Sequence, residues 1–224
     1  MIIVTGASRG IGQAIKNSLE QDGHEVIGLA TKENRKESIL KVDVSDYSSI
    51  KSVRTHLKKQ KKEVEALINV AGIASMNLAL ATPEATSRKI IETNLLGTIF
   101  TNQIFAPMII KSGGGRIINF STIAVKIGLE GESIYIASKA GVEGFTRSFA
   151  KEVSGFNITV NCIAPGPIKT DLLKGITEKQ IQKIIEQQAF KKIFKSIDVV
   201  NTVKTLLSKE SENITGQVIH IGGV

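Results

Sequence analysis

The sequence predicts an α/β fold: a doubly wound parallel sheet of about seven strands with helices on both faces. Three observations predict it. Short apolar runs alternate with amphipathic stretches from one end of the chain to the other. Those runs are continuously apolar, as expected of strands buried on both faces. The 224 residues contain no linker, repeat or low-complexity tract, so residues 1–224 are expected to form one domain.

The elements follow in order. Residues 2–4 read as a strand and 11–21 as a helix; 25–29 and 39–42 are the second and third strands. Only nine residues separate Leu29 from Ile39. A parallel crossover usually takes about a dozen, so the crossover between strands two and three is shortened, its helix missing or reduced to a turn. Residues 48–59 are helical, 66–70 a strand, 88–111 a long helix, 116–120 the fifth strand and 133–153 a helix. A strand at 158–163, helices at 178–188 and 198–208, and a last strand at 218–221 complete the pattern.

Composition narrows the class. Apolar residues make up 42% and charged residues 22%, which fits a globular protein and excludes a disordered one. Cys162 is the only cysteine, so an intramolecular disulfide and a multi-thiolate metal site are excluded. His24, His56 and His220 are scattered, so no metal site is expected. The first residues lack a basic segment leading into a long apolar one, and no apolar run approaches the ~20 residues of a membrane helix. A cytoplasmic location, without membrane attachment, is the expectation. The net charge of +8 fits either an anionic partner or a lysine-rich solvated surface. Lys58, Lys59, Lys61 and Lys62 read as the latter, and no nucleic-acid partner is expected.

Thr5-Gly6-Ala7-Ser8-Arg9-Gly10-Ile11-Gly12 lies between the first strand and the first helix. Glycines there allow a tight turn and close approach of backbone to a pyrophosphate. The helix N-terminus behind them offers free N–H groups and the positive end of its dipole. The strand–turn–helix context makes this a Rossmann-type dinucleotide site.

The glycines are spaced Gly-x-x-x-Gly-x-Gly. Together with Asn69-Val70-Ala71-Gly72, Tyr135-x-x-x-Lys139 and Pro165-Gly166, they resemble the short-chain dehydrogenase/reductase family. The resemblance runs from Ile2 to Gly223 with the motifs in family order. It is nearest to bacterial 3-oxoacyl-[acyl-carrier-protein] reductases, through residues 26–34, 91–95, 135–148 and 158–170. The implied activity is reduction of a carbonyl by hydride transfer from a nicotinamide cofactor.

Cofactor choice follows from charge. An NAD site usually places Asp or Glu near the end of the second strand. Ala30, Thr31 and Lys32 stand there instead, and Arg9 in the loop can pair with a 2′-phosphate. NADPH or NADP is therefore favoured over NAD. The resemblance adds Asp43 and Val44 against the adenine, and Asn69, Ala71 and Gly72 beside the ribose. It also brings Ile168 and Thr170 to the carboxamide or phosphates.

Tyr135 and Lys139, four apart on a helix, share a face. A free tyrosine ionises near ~10, and a neighbouring ammonium is expected to lower that value. By resemblance Tyr135 donates a proton to the carbonyl oxygen. Lys139 also bonds the nicotinamide ribose, and Asn94 helps hold a relay water. The family's serine, thirteen residues before the tyrosine, becomes Thr122, beside Ser121. Adjacent side chains at a strand end point apart, so one hydroxyl should reach the substrate; Thr122 is the expected one. A threonine keeps the donor and acceptor but stiffens χ1. Val70 replaces a common second asparagine, and Cys162 reads as a buried small hydrophobe.

Substrate and partners stay open. The resemblance implies an acidic acyl carrier docked by two arginines near the start of the fifth strand and after the catalytic helix. Gly113 and Phe156 stand there instead, with Lys111, Arg116 and Lys151 nearby. Residues 166–194 form the expected substrate lid. Leu172, Leu173, Ile176, Ile181, Ile184 and Phe190 either cover an acyl chain or pack helices. Three functions remain: a 3-oxoacyl thioester reductase, a reductase or dehydrogenase of another small-molecule ketone or sugar, and a non-catalytic NADP-binding regulatory protein. The long helices and last strand suit a homo-oligomer, by resemblance a tetramer.

Overall fold

Consecutive residues of the central strands point into two different cores, which is why their apolar runs do not alternate. In β1 (Ile2–Thr5), Ile3 packs with Leu67 and Ile117 beneath Ile50, Leu57 and Phe105. Ile2 and Val4 turn to the other face and join Ile68, Ile118, Ile15 and Val203. The computed structural model describes residues 1–32, 34, 38–168 and 177–224.

The strands are β1, β2 (Val26–Ala30), β3 (Ile39–Lys41), β4 (Ala66–Asn69), β5 (Gly115–Phe120), β6 (Ile158–Pro165) and β7 (Val218–Ile221). They form one parallel sheet in the order β3-β2-β1-β4-β5-β6-β7. Helices α1 (Gly10–Gln21) and α8 (Ser196–Leu207) cover one face. Helices α2 (Tyr47–Lys59), α4 (Gly97–Lys111) and α6 (Ser133–Val153) contribute to the core on the other. Strand order reverses direction between β1 and β4, and ligands of open α/β sheets bind outside the carboxyl ends at such a point.

The shortened crossover carries no helix among its described residues. Asn34 and Ile39 exchange both backbone hydrogen bonds, at 3.0 and 2.9 Å. On that face the side chain of Lys16 in α1 lies over β2: a Cβ on Gly28 would meet Ala7 Cβ, Ile39 and the Lys16 stem. The Lys16 ammonium reaches Glu20 at 2.7 Å. A lysine stem can cover apolar surface while its charged end finds a partner.

The long helix differs from expectation at two places. It begins at Glu84, a turn earlier than the apolar pattern suggested, as α3 (Glu84–Ile91). Glu84 suits the positive end of the helix dipole and pairs with Arg88 at 2.7 Å. Between α3 and α4 lies a π-helical turn, Glu92–Leu96, with Asn94 buried inside it. A short helix α5 (Ala124–Ile127), absent from the sequence reading, follows β5. Helix α7 (Glu178–Glu186) starts with a reciprocal cap, Thr177 and Gln180 each bonding the other's backbone N–H.

Candidate active site

The glycine loop is fixed by contact with the end of β4. Ala71 N–H donates to Thr5 Oγ1 at 3.0 Å. Gly6 has φ +67°, and a Cβ there would lie 2.9 Å from Ala71 Cα. A Cβ on Gly12 would lie 2.3 Å from Gly6 O. Neither position accepts a side chain without opening the loop. Helix α1 has no side-chain cap at Arg9 and no acid in its first turn. Its first N–H groups are thus left for an anion, and the cradle fits a dinucleotide pyrophosphate. Ser8, Arg9 and Gly10 are exposed and Ile11 is half-buried; Thr31 and Lys32 are exposed directly after β2, beside this loop.

Asp43 is exposed, its carboxylate accepting from Ser45 N–H at 2.9 Å and Ser45 Oγ at 2.6 Å. Val44 is packed on Gly97, where a Cβ would lie 2.8 Å from Val44 Cγ2. The Nδ2 of Asn69 donates to Asn119 Oδ1 at 2.9 Å and its Oδ1 accepts from Thr101 at 2.8 Å. The amide belongs to a buried network with Asn102 and Thr146, which ties β4 to β5 and α4.

At the carboxyl end of β5, neighbouring hydroxyls take different directions. Ser121 Oγ donates to buried Glu143 Oε1 at 2.7 Å. Thr122 Oγ1 accepts from Ala124 N–H at 3.2 Å and lies near enough to the Tyr135 phenol to oppose the rise of its pKa. Glu143 of α6 engages Ser121.

Lys139 Nζ donates to Phe120 O at 2.9 Å. Burial lowers its pKa to about 8, and the nearby Cys162 thiol works against that. Asn94 Oδ1 accepts from Ile73 N–H at 2.8 Å; Asn94 Nδ2 donates to Ile73 O at 2.9 Å and Ser138 Oγ at 3.0 Å. Ser138 in turn donates to the Tyr135 carbonyl at 2.6 Å. A Cβ on Gly72 would lie 3.2 Å from Asn94 Oδ1 and 3.4 Å from Lys139 Nζ. Gly72, Asn94 and Lys139, from three segments, thus meet in one place, and Ser138 ties the Tyr135 backbone to it.

The expected lowering of the Tyr135 pKa is not found. Tyr135 is only 8% exposed. Burial pushes its pKa well above the ordinary tyrosine range, Glu132 adds to the rise, and the nearby Thr122 hydroxyl opposes it. The Lys139 ammonium is engaged with Phe120 O and does not outweigh the burial. Cys162 is buried as expected, its thiol pushed up to about 12 chiefly by burial.

Pro165 O accepts from Ile123 N–H, and Gly166 N–H donates to Ile221 O at 2.9 Å, tying this turn to β7. Ile168 is buried and bridges Phe194. Thr170, Leu172, Leu173 and Ile176 lie outside the described residues. Of the other lid residues, Ile184 is buried, Ile181 half-buried and Phe190 exposed. A cavity of about 410 Å³ joins the loop after β4 (Met76, Leu78), the turn before α6 (Glu130, Gly131) and α7 (Thr177, Gln180, Lys183). The larger hollow, about 840 Å³, lies between β3 and α2; neither it nor the 410 Å³ cavity is lined by Asn94, Thr122, Tyr135 or Lys139.

Gly113 and Phe156 lie together at the opposite end of the sheet. Gly115 N–H bonds Asn157 O at the first residue of β5, whereas Thr122 follows its far end. Six strand residues span roughly 20 Å. Within one chain, Lys111, Arg116 and the two docking positions therefore stand away from Tyr135, a correction to the expected placement beside the mouth. Sequence reading missed Ser138, Glu143, Glu132 and the Phe120 carbonyl. Ser138 was accessible from its place inside Tyr-x-x-x-Lys; the others need the fold.

The dinucleotide cradle and the Tyr135–Lys139 centre define a nicotinamide-dependent oxidoreductase acting on CH–OH or C=O groups. A family model described as Enoyl-(Acyl carrier protein) reductase matches residues 6–223. The 3-oxoacyl-[acyl-carrier-protein] reductase FabG of Escherichia coli (strain K12) is 36% identical over 231 residues, covering 99% of this chain and 95% of that protein. The FabG of Staphylococcus aureus (strain Mu50) is 32% identical over 235 residues, covering 99% and 96%. Among solved structures, ligand-free aldohexose dehydrogenase of Thermoplasma acidophilum superposes with a TM-score of 0.89 at 30% identity, covering 99% of this chain and 92% of that one. The chain belongs to the short-chain dehydrogenase/reductase family.

Proposed function

We propose that this protein is an NADPH-dependent carbonyl reductase whose substrate is a 3-oxoacyl thioester, carrier-bound or carried on a smaller thiol. The observation that carries the chemistry is the place of Tyr135 and Lys139 one turn apart on α6, with Lys139 beside Gly72 and Asn94 and the Thr122 hydroxyl near the phenol. The bound cofactor supplies hydride to the carbonyl carbon. Tyr135, protonated in its buried setting, gives its proton to the carbonyl oxygen. Thr122 hydrogen-bonds that oxygen and fixes its place. Lys139, near neutrality in pKa, passes a proton on toward Tyr135, and Asn94 holds the π-helical turn and the 70–73 loop around it. Arg9, Thr31 and Lys32 favour a phosphorylated ribose.

The thioester assignment is supported by the FabG relatives along nearly the whole chain. A second reading, a sugar or other hydroxylated ketone, is favoured by the aldohexose dehydrogenase likeness. The test is NADPH oxidation with an acetoacetyl thioester, on carrier protein and as a short analogue, against aldose and polyol substrates. Thioester turnover lost in Tyr135→Phe supports the proposal. Turnover of the sugars alone moves the assignment to the second reading. NADPH binding with no turnover of any ketone points to a binding protein.

A further inference from the structure

Asn119 and Ser121 lie two apart at the end of β5, so their side chains share a face, and that face meets α6. Asn119 Nδ2 donates to Thr146 Oγ1 at 2.9 Å, and Ser121 Oγ donates to Glu143 Oε1 at 2.7 Å. Between them Phe120 O accepts from Lys139 Nζ at 2.9 Å. Tyr135, Lys139, Glu143 and Thr146 follow one another at steps of four, four and three, so they form one stripe of the helix. Glu143 therefore holds the last strand-side hydroxyl before Thr122.

The strand needs holding there. Past Asn119, β5 has a neighbour on one side only. Its pairing with β4 ends at Asn69 and Asn119, whereas its pairing with β6 runs on through Phe120 and Ile163. Ser121 N–H then donates to Ile163 O at 2.8 Å, and Ile123 N–H to Pro165 O at 3.1 Å. A strand bonded along a single edge can still roll about that edge. Such a roll would swing the Thr122 side chain, whose Oγ1 accepts from Ala124 N–H at 3.2 Å at the entry to α5. Of the residues flanking Thr122, Ser121 has the polar side chain, and Glu143 anchors it across the strand from β6.

Stability alone does not explain a carboxyl at this place. Glu143 is 5% exposed and Ser121 4%. Arg147 reaches Glu143 Oε2 from solvent, at 3.8 Å. Apolar side chains of similar volume usually serve a fold as well as a buried ion pair does. What a glutamate offers and a leucine lacks is an acceptor for the Ser121 hydroxyl.

We infer that Glu143 is a positioning residue: through Ser121 it stops the end of β5 from rolling about its edge with β6, and so holds the Thr122 hydroxyl in place. Its consequence for catalysis rests on Thr122 being the group that bonds the carbonyl oxygen in the proposed reaction.

Two readouts separate this role from one in folding. The key variant is the pair Ser121→Ala/Glu143→Leu, which removes donor and acceptor together and leaves neither unsatisfied, so its urea midpoint is expected to stay near the parent. The first readout needs no substrate. Ala124 N–H donates to Thr122 Oγ1, so its hydrogen exchange, followed by mass spectrometry in peptides spanning residues 121–127, reports where that hydroxyl stands. Exchange there is expected to quicken about tenfold in the pair, with the rest of α6 unchanged. Glu143→Gln, which still accepts from Ser121, is expected to exchange like the parent. The second readout is kinetic, with whichever ketone turns over. The pair is expected to lose about tenfold in kcat with the KM for NADPH kept. Added to Thr122→Ala, it should cost nothing more, because it acts through Thr122. Unchanged exchange in the pair overturns the inference, and so does a kcat loss that multiplies in full with that of Thr122→Ala. Absence of turnover with every ketone would count against the proposed reaction, and the exchange measurement would still decide whether Glu143 holds Thr122.

Discussion

Thr122 and Ser121 are adjacent hydroxyls at the end of β5, and their neighbours decide their uses. Thr122→Ala should lower kcat roughly 10²-fold while Thr122→Ser keeps most activity, because the loss is of a hydrogen bond to developing charge. Tyr135→Phe should cost roughly 10²–10⁴ in kcat with cofactor affinity unchanged. Steady-state kinetics with the best ketone substrate check both. Gly12→Ala acts on binding instead. Its Cβ would press on Gly6 O at 2.3 Å, so the loop must open. NADPH affinity is expected to fall about tenfold or more in a fluorescence titration, with kcat at saturating cofactor nearly kept.

Helix α6 carries most of the site on one element, and its burial has consequences for stability. Lys139 has a pKa near 8 in the folded protein against 10.5 as its ordinary value. Below pH 8 both folded and unfolded chains hold the proton, and the folded state bears the full cost of the buried charge. Between the two values the unfolded chain binds more protons, so this group makes stability rise with pH. Tyr135 and Cys162, raised by burial, act in the opposite sense at alkaline pH, but they remain in Lys139→Met. The difference in unfolding free energy between wild type and Lys139→Met should therefore move in favour of wild type across that interval, by about 3 kcal/mol at most. Urea unfolding at a series of pH values tests the sign. A second element-level prediction concerns the asparagine network between β4, β5 and α4. Asn119→Leu leaves Asn69 Nδ2 and Thr146 without their partners. The cost is expected to be about 2–4 kcal/mol, with the active-site chemistry retained at low temperature.

At the scale of the whole molecule, the sheet and its two cores match the sequence expectation closely. Ile3 and Ile2 show why: every strand residue meets a helix on one side or the other, so the apolar runs are unbroken. The short crossover was legible from chain length alone. The π-helical turn was not, because Glu92–Leu96 reads as ordinary helix until Asn94 is pulled toward Ile73 and Ser138. We propose a homotetramer, with α4, α6 and β7 as the contact elements; light scattering or native mass spectrometry gives the subunit number. If an acidic carrier docks, activity on the carrier-bound thioester should fall steeply with salt while that on the short analogue does not. The docking positions at Gly113 and Phe156 lie far from Tyr135 within one chain. Such docking would therefore have to use other basic residues or a neighbouring subunit.

The amino-acid sequence by itself determined the parallel α/β architecture and pointed to the dinucleotide loop, which rest on periodicity and on spacings of a few residues; Tyr135 and Lys139 were singled out by the family resemblance of the surrounding motifs. Tertiary structure decided the rest: that Thr122 lies near the phenol while Glu143 engages Ser121, that the Asn69 amide serves the sheet, and that burial raises the Tyr135 pKa instead of Lys139 lowering it. Each of those depends on which segments are brought together and how much water they exclude. Thr5 and Ala71, sixty-six residues apart and joined by one hydrogen bond, set the shape of the cofactor loop, and no local pattern announces such a contact.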